Sequence, residues 1–380
     1  MKKTSFDMAI LGAGCSSFQM LYQLSLQPDW FLKNVALFSD NAPQQRSWCF
    51  WSAEKHPLQH LVTKSWHNVT FKGSDFSKTE NIEPYQYQYI PGEVFFNYFQ
   101  QDFLPKNKNI TVVNNSVTSI KKNDTGYSIQ SNDKQWFSQS VFSSLTLSPN
   151  NIHGKFWLKQ HFKGWFIKAE QPIFNDTTVT LMDFSIPQQN DTRFVYILPF
   201  SSHEALIEMT VFSPKVYPDS IYEDVLNVYM SQHFLGVSFT IQGIEKGQIP
   251  MTDALFSRFG TEGEVLLGTA AGMVKATTGY AFKRISRDSE QLAEDFINHK
   301  KLRWSTTKGR FRFYDRLLLG IIAEEPLRAS LIFQTLFKKM PMTTIFRFLD
   351  EETHLWEELH LFSKLPFVPF FKQIYRQWMR

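Results

Sequence analysis

A short apolar run that stops at a glycine turn constrains this chain more than any other feature. Residues 6–11 (FDMAIL) read as a buried parallel strand and Gly12-Ala13-Gly14 as a tight turn. Residues 17–26 then carry apolar side chains at helical spacing, residues 35–38 read as the next strand, and Asp40 follows it. Strand, glycine turn, helix and strand open a doubly wound α/β sheet. Without a Cβ at 12 and 14 the backbone approaches a pyrophosphate closely, and the helix N-terminus offers it unpaired N–H groups. Asp40 stands where an acid takes a ribose hydroxyl. Gly12, Ala13, Gly14 and Asp40 are therefore candidate cofactor-binding residues. An ordinary strand–helix turn followed by a solvated acid fits the same letters. Ser17 stands where the full fingerprint has a third glycine; it is small enough for helix and strand to pack, though less closely.

A second glycine constellation lies far along the chain. Residues 265–267 read as a short strand ending in Gly268-Thr269-Ala270-Ala271-Gly272, followed by Lys275-Ala276-Thr277-Thr278-Gly279-Tyr280 and a helical pattern over 279–299. Small residues leading into a helix N-terminus suit a flavin pyrophosphate and ribityl chain, with Gly268, Thr269, Gly272, Thr278 and Gly279 as candidates. A glycine-rich loop without chemistry is the alternative. Between the two, residues 65–71, 110–113, 127–129 and 136–145 suggest strands and 95–103 a helix. Residues 177–184, 193–200 and 205–212 are further strands, with 201–204 as a hairpin loop. From Arg310 the chain reads as helices broken at Pro326, Pro341, Pro366 and Pro369. The expected layout is a cofactor domain in two parts (1–62 and 263–305), a mixed insert at 63–150, a β-rich substrate domain at 151–262 and a helical region at 306–380.

Bulk composition narrows the function. The 380 residues exceed the roughly 250–300 of a single core, so a second lobe is expected. A net charge of +4 with no long basic run does not suggest a nucleic-acid partner, and none is expected. The 37 phenylalanines imply a large aromatic core or a cavity for a long apolar ligand. Two cysteines do not make a disulfide scaffold. No apolar run reaches the roughly 18 residues of a spanning helix, so the chain is expected in the cytosol or on a membrane face. His56 and His60 share the spacing of a zinc helix but lack its glutamate, and they read as a surface pair with no metal.

Two stretches carry candidate chemistry. In Gln45-Arg46-Ser47-Trp48-Cys49-Phe50-Trp51, Arg46 is a candidate for the flavin phosphates or ring, and the two tryptophans read as core or ligand. In the strand at 205–212, Leu206, Glu208 and Thr210 share one face. The residues alone favour a solvated Glu208 on an edge strand. Facing an apolar cavity instead, its carboxyl would stay protonated, and a neutral carboxylic acid is what an alkene-protonating site requires.

Read in order, Arg46 to Trp51, Gln160-His161-Phe162-Lys163-Gly164-Trp165, Leu181-Met182-Asp183-Phe184, residues 193–210, Gly247-Gln248-Ile249-Pro250-Met251-Thr252, 268–282, 311–319 and 346–353 resemble the bacterial lycopene cyclase family nearly end to end. The resemblance implies a glutathione-reductase-like, Rossmann-type α/β FAD-binding fold with an inserted β-rich substrate domain and a helical C-terminal part. It implies bound FAD, with NADPH or NADH as reductant. It implies a non-redox isomerisation closing the ψ-ends of lycopene to β-ionone rings, with the essential acid at Glu208. Glu351-Glu352 is a second acidic pair, read here as a solvated helix face. The chain departs from the family pattern at Ser17, Gln45, Pro91, Ala271 and Ala276, positions expected to cluster around the flavin. A flavin redox enzyme (monooxygenase, halogenase or prenyl reductase) and a catalytically silent carotenoid-binding relative stay open. A hydrocarbon substrate held in the bilayer implies peripheral contact with the inner membrane face. Residues 331–333, 336–339, 346–348 and 366–371 place bulky apolar side chains beside Lys and Arg for that purpose. Oligomeric state is left open.

Overall fold

The computed structural model describes residues 5–40, 46–132, 134–145, 153–304 and 307–379. Strand β1 (Ser5–Leu11), whose last four residues are all buried, pairs in parallel with β2 (Val35–Ser39) on one side and β11 (Lys134–Ser143) on the other. That is the setting a continuous apolar run requires. β8 (Ile110–Asn114) extends the sheet beyond β2, and β17 (Val265–Leu266) pairs in parallel with the end of β11. Antiparallel β10 (Gly126–Ser131) and β9 (Val117–Asn123) complete the other side. Helix α1 (Cys15–Ser25) packs on α5 (Phe282–Ile297), so both glycine constellations belong to one layered unit. Beside α1, α2 (Gly92–Asn97) runs through a π-wound turn into α3 (Leu104–Lys106), and Phe95, Phe96 and Phe99 pack on Phe18.

The second sheet runs in the order β16 (Phe239–Thr252), β12 (Trp157–Ala169), β15 (Glu204–Ser213), β14 (Thr192–Pro199), β13 (Thr178–Asp183), β5 (Asn68–Lys72) and β6 (Ser77–Asn81). Only β13 and β5 pair in parallel. Side-chain alternation gives this sheet two distinct faces. Trp165, Val195, Ile207 and Met209 pack under α4 (Asp219–His233) with Tyr222, Leu226 and Tyr229. Phe162, Phe194, Leu206 and Glu208 lie on the opposite face and line a cavity. A small sheet of β3 (Trp48–Ser52), β7 (Gln86–Ile90) and β4 (Lys64–Trp66) joins the two units. Phe50 and Ile90 pack in the core of the first, Trp51 and Tyr87 in the core of the second. Helices α6 (Gly309–Glu324), α7 (Pro326–Lys339), α8 (Met342–Leu349), α9 (Leu355–Ser363) and α10 (Phe367–Trp378) follow.

Several expectations need correction. The strands of 63–150 are shared among all three sheets, β5 and β6 joining the β-rich one. The divisions drawn at 150 and 305 fall outside the described residues. The sequence reading assigns no element to β12, β16 or α4. β12 hides because its charged Lys163 is only 3 % exposed, tucked against α4, so polar and apolar letters do not mark its faces. Pro369 does not break α10: it is the third helical residue, where no intrahelical N–H partner is lost. His56 is buried, accepts the Leu58 N–H on Nδ1 and has its pKa lowered to about 4 by burial, then by Lys283, so only His60 is a surface residue.

Glu351 corrects the reading of the helical tail as a solvated face. It is buried and accepts from Lys275 Nζ at 3.0 Å and Arg284 at 2.8 Å, and Lys275 also reaches Asp315 at 2.8 Å. Burial alone would raise the Glu351 pKa; the two cations outweigh it and lower it. Glu352 instead pairs with Arg287 at the surface. Removing one partner of a buried ion cluster leaves charge uncompensated. Glu351→Ala is therefore expected to cost about 3 kcal/mol of unfolding free energy, the low end of that range because Lys275 keeps Asp315. Glu352→Ala is expected to cost under about 1 kcal/mol. Guanidinium unfolding of the two variants checks the order, and equal losses would refute it.

Candidate active site

A cavity of about 900 Å³ lies between the first unit and the open face of the second sheet, the size of a large small-molecule site. Its lining changes character along its length. Gly12, Gly14, Ser39, Asp40, Asn115 and Ser116 form a polar end, and Phe162, Leu181, Phe194, Phe212, Phe333 and Phe337 an apolar one.

The polar end is built by the first glycine turn. Gly12 has φ +90°, and a Cβ there would sit 2.4 Å from Ser144 Oγ, so only glycine fits. Gly14 is the N-cap of α1, and a Cβ there would meet no atom within 4 Å. The first N–H groups of α1 have no intrahelical acceptors. Ala13, Arg46, Thr269, Thr278 and Gly279 also line the cavity. Two buried side-chain oxygens in its wall, Thr278 Oγ1 and Gln160 Oε1, lack hydrogen-bond partners. The N–H groups, the Thr278 hydroxyl and the open space at Gly14 suit the phosphates of a polar ligand, and Gln160 Oε1 is an acceptor for a donor group of such a ligand.

Not every candidate belongs to the lining. Gly268 (φ +59°) is wedged against Ser16, where a Cβ would lie 2.6 Å from Oγ, and Gly272 (φ +73°) against Phe256. Both shape the loop from behind. The family departures, expected around the cofactor, do not line the cavity where they are described. Ser17, Pro91, Ala271 and Ala276 are absent from the lining: Ser17 donates to Ser144, Pro91 caps α2, and the alanines pack in cores. They sit one layer behind, where helix–sheet packing sets residue size. Gln45 lies outside the described residues. Trp48 and Trp51 are both core and lining: Trp51 stacks on Phe346 at 4.7 Å, and Trp48 packs on Phe95 at 4.6 Å.

Glu208 sits in the apolar part, in the middle of β15, and is 7 % exposed. Leu206 and Thr210 share its face, as period two demands, and Thr210 Oγ1 donates to Glu208 Oε1 at 2.8 Å. Burial pushes its pKa well above the usual carboxylate range; Glu245 raises it further, and the Thr210 hydroxyl offsets part of this. Glu245, which the sequence reading passes over, lies on β16, and its pKa is raised to about 7 by burial against the opposing Ser47 N–H. Tyr87 forms 2.8 Å hydroxyl hydrogen bonds with both Tyr196 and Tyr280, and burial raises all three pKa values. These phenols remain neutral donors beside the acid. Only the alternation Glu245, Gly247, Ile249 hinted at a second carboxyl on this face. Among the described residues, no cluster of three His, Cys, Asp or Glu side chains is placed to hold a metal.

Residues 7–374 match the lycopene cyclase protein family. The chain belongs to the lycopene cyclase family. It is accordingly an enzyme of carotenoid biosynthesis. It is 24 % identical to a lycopene beta-cyclase of Pantoea ananas over 394 aligned residues, covering 96 % of each chain. Its α/β fold is the Rossmann-type fold of flavoproteins. The flavin-dependent brominase Bmp2 superposes with TM-score 0.60 at 13 % identity over 95 % of this chain and 94 % of that one. A flavoprotein/dehydrogenase from Cytophaga hutchinsonii superposes with TM-score 0.57 at 12 % identity, covering 91 % and 92 %. A geranylgeranyl bacteriochlorophyll reductase-like protein from Thermoplasma acidophilum gives 0.53 at 10 %, covering 98 % and 96 %.

The two raised carboxyls make the stability of this cyclase depend on pH. A carboxyl whose pKa rises on folding contributes fully below its unfolded value, near 4.5, and that contribution is lost as pH climbs through the folded value. Wild-type stability should therefore fall over roughly pH 5 to 8 relative to a Glu208→Gln, Glu245→Gln double variant. Asp288 and Asp350 are raised too, but are common to both proteins and cancel. Urea midpoints across this range test it; parallel curves would show that neither carboxyl is buried in solution.

Proposed function

We propose that this cyclase closes the ψ-ends of lycopene to β-ionone rings, with Glu208 as the proton donor. The observation that carries the reading is a carboxyl kept neutral by burial within an aromatic cavity. Glu208 protonates the terminal alkene, the tertiary cation is attacked by the internal alkene, and loss of a ring proton restores a double bond. The apolar walls exclude water, which would otherwise capture the cation. Aromatic faces such as Phe162, Phe194 and Tyr196 stabilise it by roughly 0.5–2 kcal/mol each.

The polar end fits FAD. Gly12-Ala13-Gly14 and the α1 N-terminus would hold the pyrophosphate, Asp40 a ribose, and Arg46, Thr269, Thr278 and Gly279 the remainder. Bound there in its reduced form, with NADPH or NADH as reductant, FAD would supply negative charge able to stabilise a neighbouring cation. The test is the FAD-loaded protein with lycopene in detergent and the pigments separated by chromatography. β-Carotene is expected, without net NAD(P)H consumption per ring; stoichiometric consumption would instead mark a redox enzyme. Glu208→Gln should slow ring formation at least ~100-fold with flavin content unchanged. Gly14→Val should lose flavin but not fold, because its side chain would meet only cavity. Wild-type rates from Glu208→Gln would remove it from the mechanism, and ligand binding without ring formation by the wild type would mark a silent relative.

The substrate class also favours a peripheral membrane position, on the cytoplasmic face. Among the described residues no helix is long and apolar enough to cross a membrane. The surface that supports contact is narrower than the sequence suggests: Phe333, Leu336, Phe337 and Phe346 are buried. α10 instead exposes Phe367, Phe371, Tyr375 and Trp378 along one face, with Trp356 of α9 82 % exposed. Such a face inserts into the interfacial layer. Phe367→Ser, Phe371→Ser and Trp378→Ser together should abolish flotation with anionic liposomes while sparing cyclisation of detergent-delivered lycopene. A wild-type chain that fails to float at low salt would refute the contact.

A further inference from the structure

Ring closure as proposed needs a base as well as an acid, because one proton enters the substrate and another leaves. The strand register supplies a second carboxyl. Gly164 of β12 stands opposite Glu208 of β15 on one side and opposite Glu245 of β16 on the other. The three residues form one row across the sheet, and both glutamates line the cavity. Their Cα atoms are two strand spacings apart, about 9–10 Å. The residue between them carries no side chain: a Cβ at 164 would lie 2.9 Å from the Glu208 Cβ and 2.8 Å from Leu206. Nothing therefore stands between the two carboxyls in that row.

Their supports differ in the sense a proton exchange requires. Glu208 is buried and held by a hydroxyl, which serves a neutral or an ionised carboxyl alike. Glu245 is only half-buried and faces the backbone N–H of Ser47, whose dipole favours the anion. Burial, with the charge of Glu245, keeps the proton on Glu208. The other titratable groups facing the pair are Tyr196 of β14, directly opposite Glu208, Cys49 of β3, Tyr87 and Tyr89 of β7, and Tyr280, all raised by burial and neutral. Arg46 lines the same cavity beside Ser47. The cations of the neighbouring strand positions are engaged elsewhere: Lys163 with Asp219 and Glu223, Lys246 with Asp219.

Resting on the cyclase reading above, we infer that Glu245 is the base of ring closure, taking the ring proton and passing it back to Glu208 across Gly164. The step balances. The Glu208 O–H proton goes to the terminal alkene carbon and leaves a carboxylate. The internal alkene forms the new C–C bond with the resulting tertiary cation. The ring C–H electron pair becomes the new double bond as its proton moves to the Glu245 carboxylate. Transfer from Glu245 to Glu208 then restores both groups, with no oxidant or reductant consumed. The carbon that gains a proton and the one that loses it are each bonded to the same quaternary ring carbon, so two carboxyls flanking a single glycine serve one ring.

The experiment is the pH dependence of kcat with flavin-loaded protein and detergent-solubilised lycopene. In the wild type, kcat should rise as Glu245 ionises, near pH 7, and fall at higher pH as Glu208 ionises. Glu245→Gln should lower kcat at least ~100-fold and abolish the rise on the acid side. It should also move the alkaline fall to lower pH, because removing a neighbouring negative charge lets Glu208 ionise more readily. Flavin content and KM should stay near wild type. Glu245→Asp should recover part of the rate together with the acid-side rise, and it carries the test by itself if Glu245→Gln does not fold. A Glu245→Gln enzyme that is slow yet keeps the wild-type pH profile would show a structural role and overturn the inference, as would unchanged kcat. A wild-type protein that forms no rings would instead defeat the cyclase reading beneath it.

Discussion

A carboxyl group among aromatic rings keeps its proton, because the charged form has no water to replace and no cation to answer it. The architecture of the second sheet serves that single condition at Glu208. Its middle strands must be covered on one face so that the other can be left apolar and open, and α4 provides the cover. The strand cations are directed toward α4: Lys163 is buried yet reaches Asp219 and Glu223 rather than the cavity. Among the described residues no ion pair involves Glu208. Had Lys163 stood one position along β12, it would have faced the acid, and an opposed cation within a few ångströms would hold Glu208 ionised, which the proposed proton donation does not allow.

A cavity with apolar walls on one side needs a lid that does not slide, and burial of hydrocarbon alone gives no direction. Here the direction comes from charge. Phe333, Leu336 and Phe337 of α7 and Ile345 and Leu349 of α8 line the cavity. The turn after α8 carries Glu351, which meets Lys275 and Arg284 beside the second glycine loop, while Asp315 of α6 takes the other side of Lys275. Thr277 donates to Asp315 at 2.9 Å, and its neighbour Thr278 faces the polar end. The helices that close the apolar end are thus tied to the loop that shapes the polar end.

Legibility followed the locality of the signal. Strand, Gly12-Ala13-Gly14 and α1 are contiguous, so their pattern could be read directly and the parallel sheet followed. Glu208 was legible as a candidate because Leu206 and Thr210 fix its face within five residues, although its burial depends on strands that pair from elsewhere. What stayed hidden was pairwise. Gly164 and Glu245 lie about eighty positions apart in sequence and acquire meaning only through the β12–β16 register. The same holds for Glu351, whose partners Lys275 and Arg284 come from another part of the chain; taken alone it is an acid in a polar stretch. Gly268 and Gly272 show the limit from the other side. Their positive φ angles in a crowded turn already make glycine necessary, and a sequence does not distinguish that need from close approach of a ligand.

The segment that starts at Arg46 couples the ends of the cavity. Its backbone oxygen lies so close to Gly92 that a Cβ there would approach within 2.3 Å, which pins the start of β3 against the head of α2. From that fixed point successive residues address different chemistry: Arg46 lines the cavity, Ser47 turns its N–H toward Glu245 and accepts the Tyr89 hydroxyl at 3.1 Å, and Cys49 faces Tyr196 and Tyr87. A shift of this strand by one residue would exchange its two faces, taking Trp51 out of the substrate-side core and Phe50 out of the other. The same shift would withdraw the Ser47 N–H that favours the Glu245 anion. On the reading proposed above, cofactor binding at Arg46 and proton exchange at Glu245 therefore share one support.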